Sequence, residues 1–219
     1  IKQTITLDKT TSNPDLNNYP TVNRIVTILV SNRGVRHKDI QVRSRAAYAI
    51  YKICESLDNE SYQLISLVDS LSNLISFDQS SLLPSTAELY LVESIAMITN
   101  RPASVTSESI RSNQLKLFHH FITLLINQLD SLLVNNVTNQ QSVYELVSNR
   151  LDALVSLTKS FPQSHLTPEI QDCLEYSGNI LSRITANNQL VVSITIRHSI
   201  ISYLHRLLVI LKDKSLLVL

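Results

Sequence analysis

The sequence predicts an all-α protein, a right-handed α-solenoid built from antiparallel helix pairs. Three observations carry that expectation. From Thr21 onward the apolar residues recur at spacings of three and four, the period of amphipathic helices. Glycine occurs only twice in 219 residues, at Gly34 and Gly178. That is too few for the tight turns of a sheet-rich fold or the phosphate-cradling loops of a nucleotide-binding α/β fold. Taken two at a time, the expected helices repeat at roughly 40 to 47 residues, the period of HEAT and armadillo arrays.

Residues 1–20 are polar, rich in Thr and Asn, and hold Pro14 and Pro20; they read as a loop or linker. Residues 21–219 then read as about four HEAT-type helix pairs. The first helix is expected over about 21–32, with Val22, Ile25, Val26, Leu29 and Val30 on one side. A basic loop over 33–38 leads to a second helix over about 39–57, whose inward set is Val42, Ala46, Ala49, Ile50, Ile53 and Leu57. Asn59 is expected to cap a third helix striped by Tyr62, Leu64, Ile65, Val68, Leu71 and Leu74. Pro84 stands near the start of a fourth, which ends before Pro102. A short segment over 104–110 leads into a long fifth helix with Leu115, Phe118, Phe121, Ile122, Leu125, Leu129 and Leu132 in its stripe. The sixth covers about 140–160 and is stopped by Pro162; Thr167-Pro168 opens the seventh, because proline at the first helical position costs little. The eighth is expected from near Leu190 to about Leu211.

Composition narrows the function classes. With 44% hydrophobic residues the chain can bury a continuous core, unlike a disordered tail. Lys+Arg 19 against Asp+Glu 18 excludes a uniformly basic nucleic-acid coat. No basic-then-apolar leader opens the sequence, so no secretory signal is expected. No apolar stretch reaches the roughly 18 to 20 residues that a bilayer-crossing helix needs, so no membrane insertion is expected. Cys54 and Cys173 lie far apart in helical segments and read as reduced core thiols of an intracellular protein. The chain begins at Ile1 and ends on an apolar run, and it is expected to be a piece of a longer protein.

No catalytic pattern emerges, and an enzyme is not expected. There is no glycine-rich phosphate loop and no His-Glu-x-x-His. His119-His120 falls inside an apolar helix, with one ring expected packed and the other exposed, and Ser164-His165 lies in a loop with no acid beside it. His198 and His205 are seven residues apart on one face, too few ligands for a metal site.

Charge is distributed unevenly. Arg33, Arg36, Lys38, Arg43 and Arg45 stand against Asp39 alone, a net of +4 before His37 is counted. A basic loop running into a helix start can set guanidinium groups and helix N-terminal amides against phosphates. Arg33, Arg36 and Lys38 are expected either to contact RNA or to form a solvated loop. Asp39 is expected to cap the second helix, and Arg43 to bridge to an acid of a neighbouring repeat as a rung of a structural ladder; Arg45 falls between those cases. The last helix is again basic, with Arg197, Arg206, Lys212 and Lys214 offset by Asp213. Between Glu55 and Glu93 there are seven acids and no Lys or Arg, a net of −7. This stretch is expected to be a solvated face or a protein contact, with Glu55, Asp58 and Glu60 as its candidates. Aromatic interleaving is thin: Tyr48 and Tyr51 lie on the basic helix but read as packing residues. That favours reading of a folded RNA by shape and backbone over base stacking.

Asp39-Ile-Gln-Val42-Arg43-Ser-Arg-Ala46 matches the HEAT pattern of an inner helix, echoed loosely by Ile194-Thr-Ile196-Arg197. The whole segment from Arg33 through His37 to Tyr48 resembles the mid-chain repeats of the exportin-T family, the karyopherins that carry tRNA out of the nucleus. Leu89-Tyr-Leu-Val-Glu-Ser94 and Ser199-Ile-Ile-Ser-Tyr203-Leu204-His205-Arg206-Leu207 look like later helices of that stretch, in the same order. The resemblance implies a segment of a superhelical receptor that binds tRNA and RanGTP cooperatively, shuttles between nucleus and cytoplasm and meets nuclear pore proteins. It implies no cofactor of its own, GTP entering only through bound Ran. On this reading Arg33, Arg36, His37, Lys38, Arg45, Arg197 and Arg206 are the tRNA-binding candidates, and Glu55, Asp58 and Glu60 the Ran-binding ones. The alternative is a HEAT scaffold or karyopherin that binds protein cargo only.

Overall fold

The structure of the chain, a computed structural model, describes residues 20–75, 83–101, 108–134 and 140–212. Among these there is no strand. The helices are α1 (Pro20–Val30), α2 (Ile40–Leu57), α3 (Val68–Ser72), α4 (Ser85–Asn100), α5 (Glu108–Val134), α6 (Gln140–Thr158), α7 (Pro168–Ala186), α8 (Asn188–Val191) and α9 (Ile194–Leu211). A 3₁₀ segment, Asp58–Leu67, joins α2 to α3, and a 3₁₀ turn, Gln163–His165, precedes α7. Apart from Pro20, the expected linker over 1–20 lies outside the described residues, as does most of the expected short segment over 104–110.

Several boundaries follow the local chemistry of the sequence. Asp39 accepts from the Gln41 N–H at 2.8 Å and starts α2. Thr167 accepts from the Ile170 N–H at 3.4 Å, with Pro168 as the first helical residue of α7.

Two elements differ from expectation. The third helix is not capped by Asn59. The chain turns at Asp58, whose φ of 47° is left-handed, and continues directly as 3₁₀ helix with no side-chain cap. Three residues per turn puts Ser61 and Leu64 on one side, where both are buried and Ser61 Oγ donates to the Met97 carbonyl at 2.8 Å. The last helix is also split. Asn187 caps the single turn of α8, and Ser193 Oγ then accepts from the Ile196 N–H at 3.5 Å, starting α9 anew. Helix propensity alone reads through this stretch; the two polar caps break it.

The helices form two rows. In one, α2 packs on α4, α4 on α6, and α6 on α9. In the other, the 3₁₀ segment meets α5, and α5 meets α7. Consecutive elements join the rows: α1 against α2, α3 against α4, α5 against α6, and α7 against α9. Within each row the helices run parallel. The C-terminal end of α4 reaches that of α2 through Arg101, whose Nη1 donates to the Cys54 carbonyl at 3.4 Å. In the other row Arg183, near the end of α7, pairs with Asp130, near the end of α5. Between rows the sense reverses: Phe118 near the start of α5 stacks on Phe161 just past α6, with ring centroids 4.4 Å apart.

Helix α4 lies at the centre. Among its last ten residues only Glu93 is not buried, as expected for a helix covered on all sides. The core continues through Phe118, Phe121 and Leu125 of α5, Leu151 and Leu154 of α6, and Tyr203 of α9. Tyr203 is fully buried and its hydroxyl pairs with Ser177 Oγ at 2.8 Å, which satisfies the one polar atom on a large apolar body.

The array is tied along one edge. The last four carbonyls of an α-helix have no partner within the helix, and here side chains from neighbouring elements supply donors. Gln114 serves the Ile98 carbonyl of α4 at 2.7 Å. Asn100 serves Leu157 and Arg206 serves Thr158, both at the end of α6, at 2.7 and 2.8 Å. Gln163 serves Ile210 of α9 at 3.1 Å.

Helices α5 and α9 are long and apolar enough, by length and composition, to cross a bilayer. This overturns the expectation that no stretch is long and apolar enough; charged and polar residues interspersed along both helices obscure their apolar character in the sequence. Both are built into the array, α5 against α4, α6 and α7, and α9 against α6, α7 and α8.

Candidate nucleic-acid interface

The basic loop between α1 and α2 is a tightly bonded turn. Gly34 N–H donates to the Ser31 carbonyl at 2.9 Å, Val35 N–H to Leu29 at 2.7 Å and His37 N–H to Gly34 at 3.0 Å. The Val35 bond draws the backbone so close to the end of α1 that a Cβ on Gly34 would overlap the Leu29 carbonyl. Glycine is required here for close approach rather than for a left-handed φ. Val35 is completely buried and anchors the loop in the core.

This anchoring turns the charges outward. Arg33, Arg36 and Lys38 are exposed on the loop, and Arg45 is exposed on α2. His37 is half-buried; its Nδ1 accepts from the Asp39 N–H at 3.0 Å, which leaves Nε2 as the ring's donor. The loop thus exposes Arg33, Arg36 and Lys38 with His37 half-buried among them, and Arg45 is exposed in the second turn of the helix that the loop opens.

The expected Asp39–Arg43 ladder is not formed. Asp39 uses its carboxylate on the helix cap, and among the described residues Arg43 makes no ion pair and its buried Nε has no hydrogen-bond partner. Ion pairs between elements are made instead by Arg101 with Asp58, at 3.3 Å, and by Arg183 with Asp130.

The two α9 candidates separate. Arg197 is exposed, but α4 and α6 lie between α2 and α9 in the row. Three interhelix steps of 8–10 Å put it about 25–30 Å from the basic loop. Arg206 is committed to the fold: its Nη2 donates to the Thr158 and Lys159 carbonyls at 2.8 and 2.7 Å. Burial pushes its pKa down.

The acidic stretch is not one face. Glu88 is buried and Asp78 lies outside the described residues. Glu55 pairs with Lys52 at 2.6 Å, and that hydrogen bond holds its carboxyl below the usual range. Asp58 pairs with Arg101, and Glu60 accepts from Gln63 at 3.1 Å. The two cations stand just outside the ends of the acidic run, so a charge count along the sequence misses them.

Tyr48 is not a packing residue in the sense expected: it is 45% exposed. Its ring meets Tyr90 of α4 edge-on with centroids 5.2 Å apart, and Tyr51 at 6.2 Å; Tyr51 and Tyr90 are 5.5 Å apart. The Lys52 ammonium lies 5.7 Å from the Tyr48 ring centre and 5.3 Å from that of Tyr51. Burial, together with the hydrogen bond to Glu55, raises the Tyr51 pKa. The i, i+3 spacing of Tyr48 and Tyr51 is visible in the sequence, but Tyr90 joins them only through the α2–α4 packing.

His120 is exposed and His119 half-buried. Both cysteines are free; burial pushes the Cys54 thiol up to about 12 and raises that of Cys173, so neither is an activated nucleophile. Among the described residues no three His, Cys, Asp or Glu side chains group as a metal site. No protein-family model, curated protein or solved structure matches this chain.

Proposed function

We propose that this chain is a segment of a HEAT-type α-solenoid from an exportin-T-like receptor, binding tRNA together with RanGTP and carrying it from nucleus to cytoplasm. The observation that carries the RNA part is the bonded loop around Gly34, with Arg33, Arg36, His37 and Lys38 on its surface and Arg45 on the helix it opens. A rigid loop loses little conformational entropy when its guanidinium groups engage phosphates. Parallel rows joined by consecutive helices support the solenoid part, since that connectivity is how repeat arrays stack. The transport role rests on the resemblance of residues 33–48 to the exportin-T family. RanGTP and tRNA would each favour one curvature of the array and so strengthen each other's binding.

The test is tRNA binding by the full-length protein with RanGTP and with RanGDP across a salt series. Tightening by RanGTP alone supports the proposal. Weak binding, or equal binding with both nucleotide forms, rejects it in favour of a scaffold that binds proteins only. The Arg33→Glu, Arg36→Glu, Lys38→Glu variant should lower affinity and flatten the salt dependence, because fewer counterions are released.

A further inference from the structure

We infer that the exposed face of α2 formed by Arg45, Tyr48 and Lys52 is a stacking platform for an unpaired base of an RNA strand, placed next to the basic loop. This rests on the RNA-binding reading and names the feature of the RNA that this face takes. Residues at spacings of three and four share one side of a helix, so Arg45, Tyr48 and Lys52 form a single stripe. At 1.5 Å per residue, Arg45 and Lys52 are about 10 Å apart along the axis with the tyrosine between them.

A large aromatic ring left 45% exposed on a helix surface is not explained by core packing. Its geometry is nevertheless well defined. Tyr90 meets it edge-on at an interplanar angle of 66° and Tyr51 supports it from the same helix, an arrangement that holds the ring plane before any ligand arrives. Base–aromatic stacking needs such a plane, and it accepts any base because every base has a π-face. Arg45, one turn toward the loop, is exposed and suited to the adjoining phosphate.

The charges around the platform give the strand a direction. Toward the C-terminal end of α2, Glu55 holds Lys52 at 2.6 Å, and Glu93 is close enough to raise the Tyr51 pKa. Toward the N-terminal end come Arg45, Lys38, Arg36 and Arg33. An RNA strand leaving Tyr48 is therefore drawn toward the loop and repelled in the other direction. Three tyrosines with carboxylates nearby would also suit a cationic side chain of a protein partner. The protein's own Lys52 already supplies that cation to both Tyr48 and Tyr51, and its ammonium is the group that a base stacking on that side of the Tyr48 ring displaces.

The experiment compares a dye-labelled oligouridylate with an RNA duplex of equal length on the full-length protein in the presence of RanGTP, by fluorescence anisotropy. Tyr48→Ala should weaken oligouridylate binding roughly 5- to 150-fold, the effect of losing one stacked base. Duplex affinity and the salt slope should stay unchanged, and Tyr48→Phe should bind like the parent. The Arg33→Glu, Arg36→Glu, Lys38→Glu variant should weaken both RNAs. If Tyr48→Ala binds oligouridylate normally while the loop variant does not, the platform is wrong and the RNA reading stands. If the parent binds neither RNA, both are wrong. If an oligolysine peptide binds with a dependence on Tyr48 and displaces the oligonucleotide, the face is a protein contact and the platform is overturned.

Discussion

Asn100 at the end of α4 donates from Nδ2 to the Leu157 carbonyl at the end of α6, at 2.7 Å, and the bond is fully buried. The bond fastens two parallel helices at the same level, and Gln114, Arg206 and Gln163 from neighbouring elements serve other helix-end carbonyls along that edge. The helices of each row meet their neighbours in that row, α2 on α4, α4 on α6 and α6 on α9, so these ties hold the rows pair by pair. Directional side-chain donors on helix-end carbonyls, buried at Asn100 and Gln114, do this with a defined register, which apolar contacts alone do not supply.

Asn100→Ala should therefore destabilise the protein by about 1–3 kcal/mol, because it leaves the Leu157 carbonyl buried without its donor. Chemical denaturation monitored by circular dichroism measures this. A loss below about 0.5 kcal/mol, the level of an ordinary surface change, would mean that water or a relaxed backbone replaces the bond.

Arg206→Ala should behave as a stability variant rather than a binding variant. It removes the donor to Thr158 and Lys159, at a cost of about 0.5–1.5 kcal/mol because the Thr158 carbonyl keeps the Phe161 N–H and the Lys159 bond is exposed to solvent, and should leave the salt dependence of RNA binding unchanged. A flatter salt slope at unchanged stability would return Arg206 to the RNA-binding set.

Gly34→Ala should loosen the basic loop, because the added methyl overlaps the Leu29 carbonyl and the Val35 bond must open to relieve it. The expected cost exceeds about 1 kcal/mol, accompanied by faster amide exchange at Val35 and weaker RNA binding without any change of charge. Protection of the Val35 amide as in the parent would contradict this account.

Acidification should destabilise the fold through His165. Burial, with a smaller effect from nearby Arg111, holds its imidazole below the usual range. The unfolded chain then takes up its proton first, so stability present above about pH 6.5 is lost as pH falls below that value. Thermal melts from about pH 7.5 to about pH 5 should show a falling Tm, and His165→Gln should make the decline shallower. Identical slopes for the two proteins would remove His165 from the explanation.

The sequence by itself determined the all-helical class and much of the helix punctuation. Asp39, Thr167 with Pro168, and Pro84 act on their immediate neighbours, so their effects follow from nearest-neighbour chemistry. The anchoring of the basic loop by Gly34 and Val35 was not legible, because it depends on how closely the loop backbone approaches Leu29 at the end of α1. Tertiary structure decided what long side chains do. Arg206 and Arg43 are both helical arginines, yet one caps a neighbouring helix and the other makes no ion pair among the described residues. Lys52 and Arg101 neutralise acids that a linear charge count treats as free. The Asp58–Leu67 stretch is 3₁₀ and packs against α4, and the exposed ring of Tyr48 is met by Tyr90, 42 residues away in sequence. Local propensity acts over one helical turn, whereas these outcomes depend on which carbonyls, carboxylates and rings the packed rows bring within reach.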